Sequence, residues 1–110
     1  MIDHKLKTWR YAFHEINHIK TILFESSKKV NLEYKQVIKD LKIASDIISE
    51  LRLEAKDIPA LRALLIYHGV EMEVRLKGMS LIPPRNLTVA IAAEINRCNQ
   101  LLYAIARHLD

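Results

Sequence analysis

Apolar residues recur along the chain at intervals of three and four, a spacing that predicts four helices. In the first, from residue 4 to about residue 27, Leu6, Trp9, Phe13, Ile16, Ile19 or Lys20, and Leu23 fall on one face. Ser26, Ser27, Lys28 and Lys29 then interrupt the pattern, and Asn31 is a reasonable N-cap for the next element. The second helix, about 32 to 55, sets Tyr34, Ile38, Leu41, Ala44 or Ser45, Ile48, Leu51 and Ala55 on one side, with Lys35, Lys39 and Lys42 on another. Asp57 is placed to cap a third helix, about 58 to 77, with Pro59 in the first turn, where its missing N–H costs nothing.

The third helix carries Leu61, Leu64, Leu65, Tyr67, Met72 and Leu76, with Ile66, Val70 and Val74 on its remaining sides. Apolarity all round implies burial on more than one face, and self-association through this helix is the expectation that follows. Gly69 at its centre costs about 1 kcal/mol relative to Ala unless close helix packing uses the missing side chain. Gly78 is placed as its C-cap. Pro83 and Pro84 open the fourth helix, where Leu87, Ile91, Ile95, Cys98, Leu102, Ile105 and Leu109 alternate steps of four and three. Three short connections between helices of similar length predict an all-α, up-down antiparallel four-helix bundle.

The 110 residues suit a single domain spanning 1–110, with one core. Half are apolar, 27% are charged and only two are glycine, so a packed core is expected and a glycine-rich phosphate loop is excluded. No uncharged run approaches the ~18 residues of a membrane span, and charges are scattered where a signal peptide would be apolar. A soluble, cytoplasmic protein without membrane association is expected. Lone Cys98 suits a reducing compartment and sits on an apolar stripe, as a core residue would.

Seventeen Lys and Arg against thirteen Asp and Glu give a net charge of +4, which makes nucleic acid, RNA or DNA, the expected partner. The candidate phosphate contacts are Lys28 and Lys29 in the first loop, Lys35, Lys39 and Lys42 on the second helix, and Arg85, Arg97 and Arg107 on the fourth. Asp40, Asp46, Glu50 and Glu54 dilute the basic face of the second helix.

His14, Glu15 and His18 spell the zincin motif, two histidines one turn apart with a glutamate to activate water. The motif lies in the first helix without a preceding strand, and it reads better as two histidines on a solvated helix face. No metal, cofactor or catalytic residue is assigned.

Leu76-Lys77-Gly78-Met79-Ser80, leading into Ala93-Glu94-Ile95-Asn96-Arg97, resembles the accessory variability determinant proteins of diversity-generating retroelements, which belong with the intervening-sequence proteins of 23S ribosomal RNA. The likeness is greatest over Glu94-Ile95-x-Arg97 and Leu102-Tyr103, with Tyr103 in the aromatic place. It implies a pentameric four-helix bundle that binds nucleic acid through a positive surface and serves a reverse transcriptase.

Two further resemblances imply alternatives. Ile58-Pro59-Ala60-Leu61-Arg62 through Tyr67-His68-Gly69 resembles the Arg-then-His motif of HEPN-domain ribonucleases. It implies that Arg62 and His68 meet at a dimer cleft and cleave RNA without metal, by acid–base help to the ribose 2′-hydroxyl. Ala63 stands where that family usually has a polar residue. Glu94-Ile95-Asn96-Arg97 and Ile105-Ala106-Arg107-His108-Leu109 resemble the closing helix of MobC-type plasmid mobilisation proteins, which implies a DNA-binding accessory to a relaxase. The leading expectation is a non-enzymatic, self-associating helper of a nucleic-acid enzyme.

Overall fold

The computed structural model describes residues 8–109. Four helices occupy them: α1 (Trp9–Lys29), α2 (Tyr34–Glu54), α3 (Pro59–Lys77) and α4 (Pro84–Ala106). Each packs against the next in the chain, and α4 returns to α1, which closes the ring of an up-down four-helix bundle measuring 42 × 24 × 20 Å. The expected architecture is the observed one. The α1–α4 seam is the most closely packed of the four and the α3–α4 seam the most open.

The core follows the stripes. Ala12, Ile16, Ile19 and Leu23 of α1 meet Leu41, Ala44, Ile48 and Leu51 of α2, and Leu61, Leu65, Met72 and Leu76 of α3 meet Leu87, Ile91, Cys98, Leu101 and Ile105 of α4, in one continuous apolar cluster. Burial pushes the Cys98 thiol up to about 12, with the Glu94 charge adding to the effect, so it is an inert core group. No helix among the described residues is long and apolar enough to cross a membrane.

The helix ends differ from expectation in detail. Thr8 caps α1, its Oγ1 accepting from the Tyr11 N–H at 2.9 Å, while Leu6 and residues 4–7 lie outside the described residues. Ser26 and Ser27 do not interrupt α1: Ser26 is small enough to be buried, Ser27 Oγ donates to the Phe24 carbonyl at 2.7 Å, and the helix runs to Lys29. Asn31 is not a cap, because the Leu32 and Glu33 N–H groups both donate back to the Lys29 carbonyl and delay the start of α2 to Tyr34. Asp57 lies in a 3-10 turn, Ala55–Asp57, and Ile58 holds the N-cap position before Pro59. Gly78 does follow α3, but at φ −83° and ψ 0° it uses no left-handed conformation, and the chain winds on through a second 3-10 turn, Gly78–Leu81.

α3 leaves part of its apolar surface uncovered within one chain. Within the chain it buries one face only, Leu61, Leu65, Gly69, Met72 and Leu76, and leaves Ile66, Tyr67, Val70 and Val74 exposed. Gly69 has a clear packing role: a Cβ there would stand 3.1 Å from Ile48 Cγ1, so its absence lets α2 and α3 approach closely. Gly69→Val therefore overpacks this contact and lowers stability by about 1–3 kcal/mol, read as a lower urea midpoint at unchanged slope. An unchanged midpoint would mean that the helices separate without loss.

Candidate functional site

A glutamate occupies a core position of α4. Glu94 lies three residues after Ile91 and four before Cys98, on the buried stripe, and is 1% exposed. One of its oxygens, Oε2, accepts two charge-assisted hydrogen bonds: from Arg75 Nε of α3 at 2.7 Å and from Arg97 Nη1, one turn along α4, at 2.6 Å. Oε1 is buried with no hydrogen-bond partner among the described residues. Arg75 also donates to exposed Glu71 at 3.2 Å. Burial alone would lower the Arg75 pKa, but its bonds to Glu94 and Glu71 outweigh that and hold it above the ordinary arginine value. The guanidinium pair is thus charged and fixed in place.

These arginines sit in the open seam between α3 and α4. A hollow of about 320 Å³ is lined by Tyr67, His68, Glu71, Arg75, Arg97 and Gln100. It continues, through Tyr67 and Gln100, into a wider trough of about 790 Å³ lined by Ala60, Ala63, Leu64, Tyr103, Ala104, Arg107 and His108. The alanines explain the width, since short side chains on both helices leave the space between them unfilled. His68 packs edge-on against Tyr67 at 4.8 Å between centroids, and burial holds its pKa below the usual histidine value, so it is neutral at pH 7. At the far end His108 stacks on Trp9, 3.8 Å between centroids and 10° between planes, tying the end of α4 to the start of α1.

The eight basic residues expected to contact nucleic acid divide into separate groups. Lys28, Lys29, Lys35 and Arg85 collect at the end of the bundle where α1 stops and α2 and α4 begin, an end drawn together by the long contact from Tyr34 Oη to the Ser80 carbonyl, 3.5 Å. Lys28 and Lys29 also fill the role that cations commonly have in the last turn of a helix, and Lys28 lies 4.4 Å over the Phe24 ring. Lys39 and Lys42 continue along exposed α2. Arg97 and Arg107 line the α3–α4 groove, which the sequence reading reached only through them. Arg75, Tyr67, Gln100 and Tyr103 were missed. Their signal was present as shared helical faces, residues 60, 63, 64, 67, 68, 71 and 75 on α3 and 97, 100, 103, 104 and 107 on α4.

The other motifs scatter. Arg62 is exposed on the α2 side of α3 beside Lys56 and Ile66, whereas His68 faces the α4 side, so one chain does not bring them together. His14 and His18 are exposed, and among the described residues no group of three or more His, Cys, Asp or Glu is arranged to hold a metal ion. A second, partly buried ion pair ties α2 to α3: Arg52 Nη2 donates to Glu73 Oε1 at 2.7 Å, and Lys77 donates to Oε2 at 3.1 Å. Burial would raise the Glu73 pKa, but these two bonds prevail and hold it below the ordinary carboxylate value.

No protein-family model, curated protein or solved structure matches the chain.

Removing Glu94 alone leaves Arg97 without its carboxylate and Arg75 with exposed Glu71 alone. Glu94→Ala is expected to cost about 2–3 kcal/mol in urea unfolding, below the full penalty of a buried pair because water reaches both arginines. In a double-mutant cycle with Arg75→Leu, Glu94 and Arg75 show a coupling of about 1 kcal/mol or more; additive losses would mean that the bridge carries no stability.

Proposed function

We propose that this protein is a non-enzymatic accessory bundle that self-associates and binds nucleic acid for a partner enzyme such as a reverse transcriptase. The observation that carries the reading is the α3–α4 groove, where Arg75, Arg97 and Arg107 line one continuous depression; Glu94 and exposed Glu71 pair with the first two, and Arg107 has no ion pair among the described residues. An anionic polymer is the ligand this charge arrangement favours.

The rest of the surface agrees in sign. Lys28, Lys29, Lys35 and Arg85 make a second basic zone at one end. Glu25, which pairs with Lys28 at 3.9 Å, and Glu33 temper that end, and a further acidic group lies on the α1–α2 side, where burial, then the charges of Glu50 and Glu15, hold the Glu54 carboxyl above its usual range.

Self-association is supported by the apolar row Ile66, Val70 and Val74 on α3, with Leu53 of α2 beside it, all exposed in the single chain. This row faces the α2 side of α3 and the groove faces the α4 side, so copies can join through one while the other stays open. The resemblance to accessory variability determinant proteins, carried by Glu94-Ile95-x-Arg97 and Tyr103, supports the choice of partner enzyme.

Filter binding to structured RNA and to duplex DNA at low salt is expected to show affinity that falls steeply and linearly on a log–log salt scale. Light scattering on the same sample should give a multiple of the 12.8 kDa chain mass. Absence of binding to either nucleic acid overturns the binding reading, and a 12.8 kDa particle at micromolar concentration overturns self-association.

A further inference from the structure

We infer that the α3–α4 groove is a site for a single-stranded nucleic-acid segment, in which Arg75 and Arg97 hold a backbone phosphate and Tyr67 and Tyr103 stack on its bases. The inference rests on the nucleic-acid reading above and adds the place, the strand form and the division of labour.

The phosphate end is built in advance. Glu94 accepts both arginine bonds on one oxygen, and among the described residues Arg97 makes this one hydrogen bond, which leaves its remaining N–H groups for a ligand. The bond between Arg75 and Glu71 is the weak one, because Glu71 is 85% exposed and easily hydrated when an oxyanion displaces it. Little side-chain freedom is left to lose on binding, the usual drain on affinity when long basic side chains meet phosphate.

The base end has the matching chemistry. Tyr67 and Tyr103 stand on opposite walls of the trough and are 81% and 77% exposed, with Ala60, Ala63 and Ala104 between them. Two large aromatic rings held in water over a small-residue trough are stacking platforms for flat, weakly solvated rings. Along the helices, Tyr103 lies ~9 Å from Arg97 and Tyr67 ~12 Å from Arg75, so one strand lying in the groove meets both kinds of contact.

Shape decides the strand form. A seam between two helices of one bundle is too narrow to admit a duplex, whose bases are in any case stacked on each other and inaccessible to side-chain rings. Charge decides against a second copy of this chain as occupant. Covering the trough with protein would desolvate Arg97 and Arg107 with no carboxylate in the groove to pair them beyond Glu94 and Glu71. The exposed row on α3 is the better surface for a copy.

The test is fluorescence anisotropy with a labelled oligouridylate of ~10 nucleotides, within the reach of small single-strand sites, and with an RNA duplex of equal length. Single strand is expected to bind at least tenfold tighter than duplex. Tyr103→Ala is expected to weaken it about 5- to 100-fold, the range for loss of one stacked base, and Tyr103→Phe to retain it. Arg97→Ala should lower affinity and reduce the salt slope by about 0.7. Tyr103 is exposed, so its substitution leaves the fold intact, and a circular dichroism melt verifies this. If both probes bind equally and Tyr103→Ala and Arg97→Ala match the parent, the inference is overturned while the nucleic-acid function stands. If neither probe binds at low salt, both fall. If Tyr103→Ala changes the particle mass rather than the affinity, the groove is a protein contact and the inference is overturned.

Discussion

Glu94 is a carboxylate in the place of a core hydrophobe, and the open side of the bundle is organised around it. A lone buried charge would be costly, so Arg75 must cross from α3 and Arg97 must fold back along α4 to satisfy it. The cross-link joins the two neighbouring helices of the ring that otherwise touch least. It substitutes one charged bridge for the interdigitated side chains that close the α1–α4 seam, and the space not filled by side chains is the groove.

That arrangement separates closed, apolar seams from one open, polar seam. Three seams are closed by apolar stripes and, between α2 and α3, by the close approach at Gly69 and the Arg52–Glu73 pair. The fourth holds exposed tyrosines, a neutral histidine and fixed arginines, groups that contribute little to a core and much to recognition. α3 belongs to both halves: it packs inward with Leu61, Leu65 and Met72, faces the groove with Tyr67 and His68, and turns Ile66, Val70 and Val74 outward. The lack of helical amphipathicity in its sequence is the trace of these three duties.

The helices and most of the core were legible in the sequence because burial in a bundle follows the three-and-four period directly, as at Ile16, Leu41, Ile48, Ile91 and Cys98. The start of α2 was not, because whether Asn31 meets a free N–H depends on how tightly the preceding helix unwinds, and here the chain continues into a turn. Glu94 was missed because hydropathy assigns a glutamate to water. Its stripe position between Ile91 and Cys98 pointed the other way, and only a partner 19 residues upstream makes that position tenable. The groove itself was illegible for the same reason: Tyr67 and Tyr103 become neighbours across a seam only when α3 and α4 are placed.

The most direct test of the account is whether Glu94 fixes the guanidiniums before any ligand arrives. Nitrogen-15 spectra of the arginine Nε–H groups report this in the free protein. The account predicts that the Arg75 Nε–H, which donates to Glu94, exchanges slowly with water and gives a resolved, shifted signal, and that Glu94→Gln makes it exchange as fast as exposed Arg85. An Arg75 signal that already exchanges like Arg85 in the parent protein would contradict it.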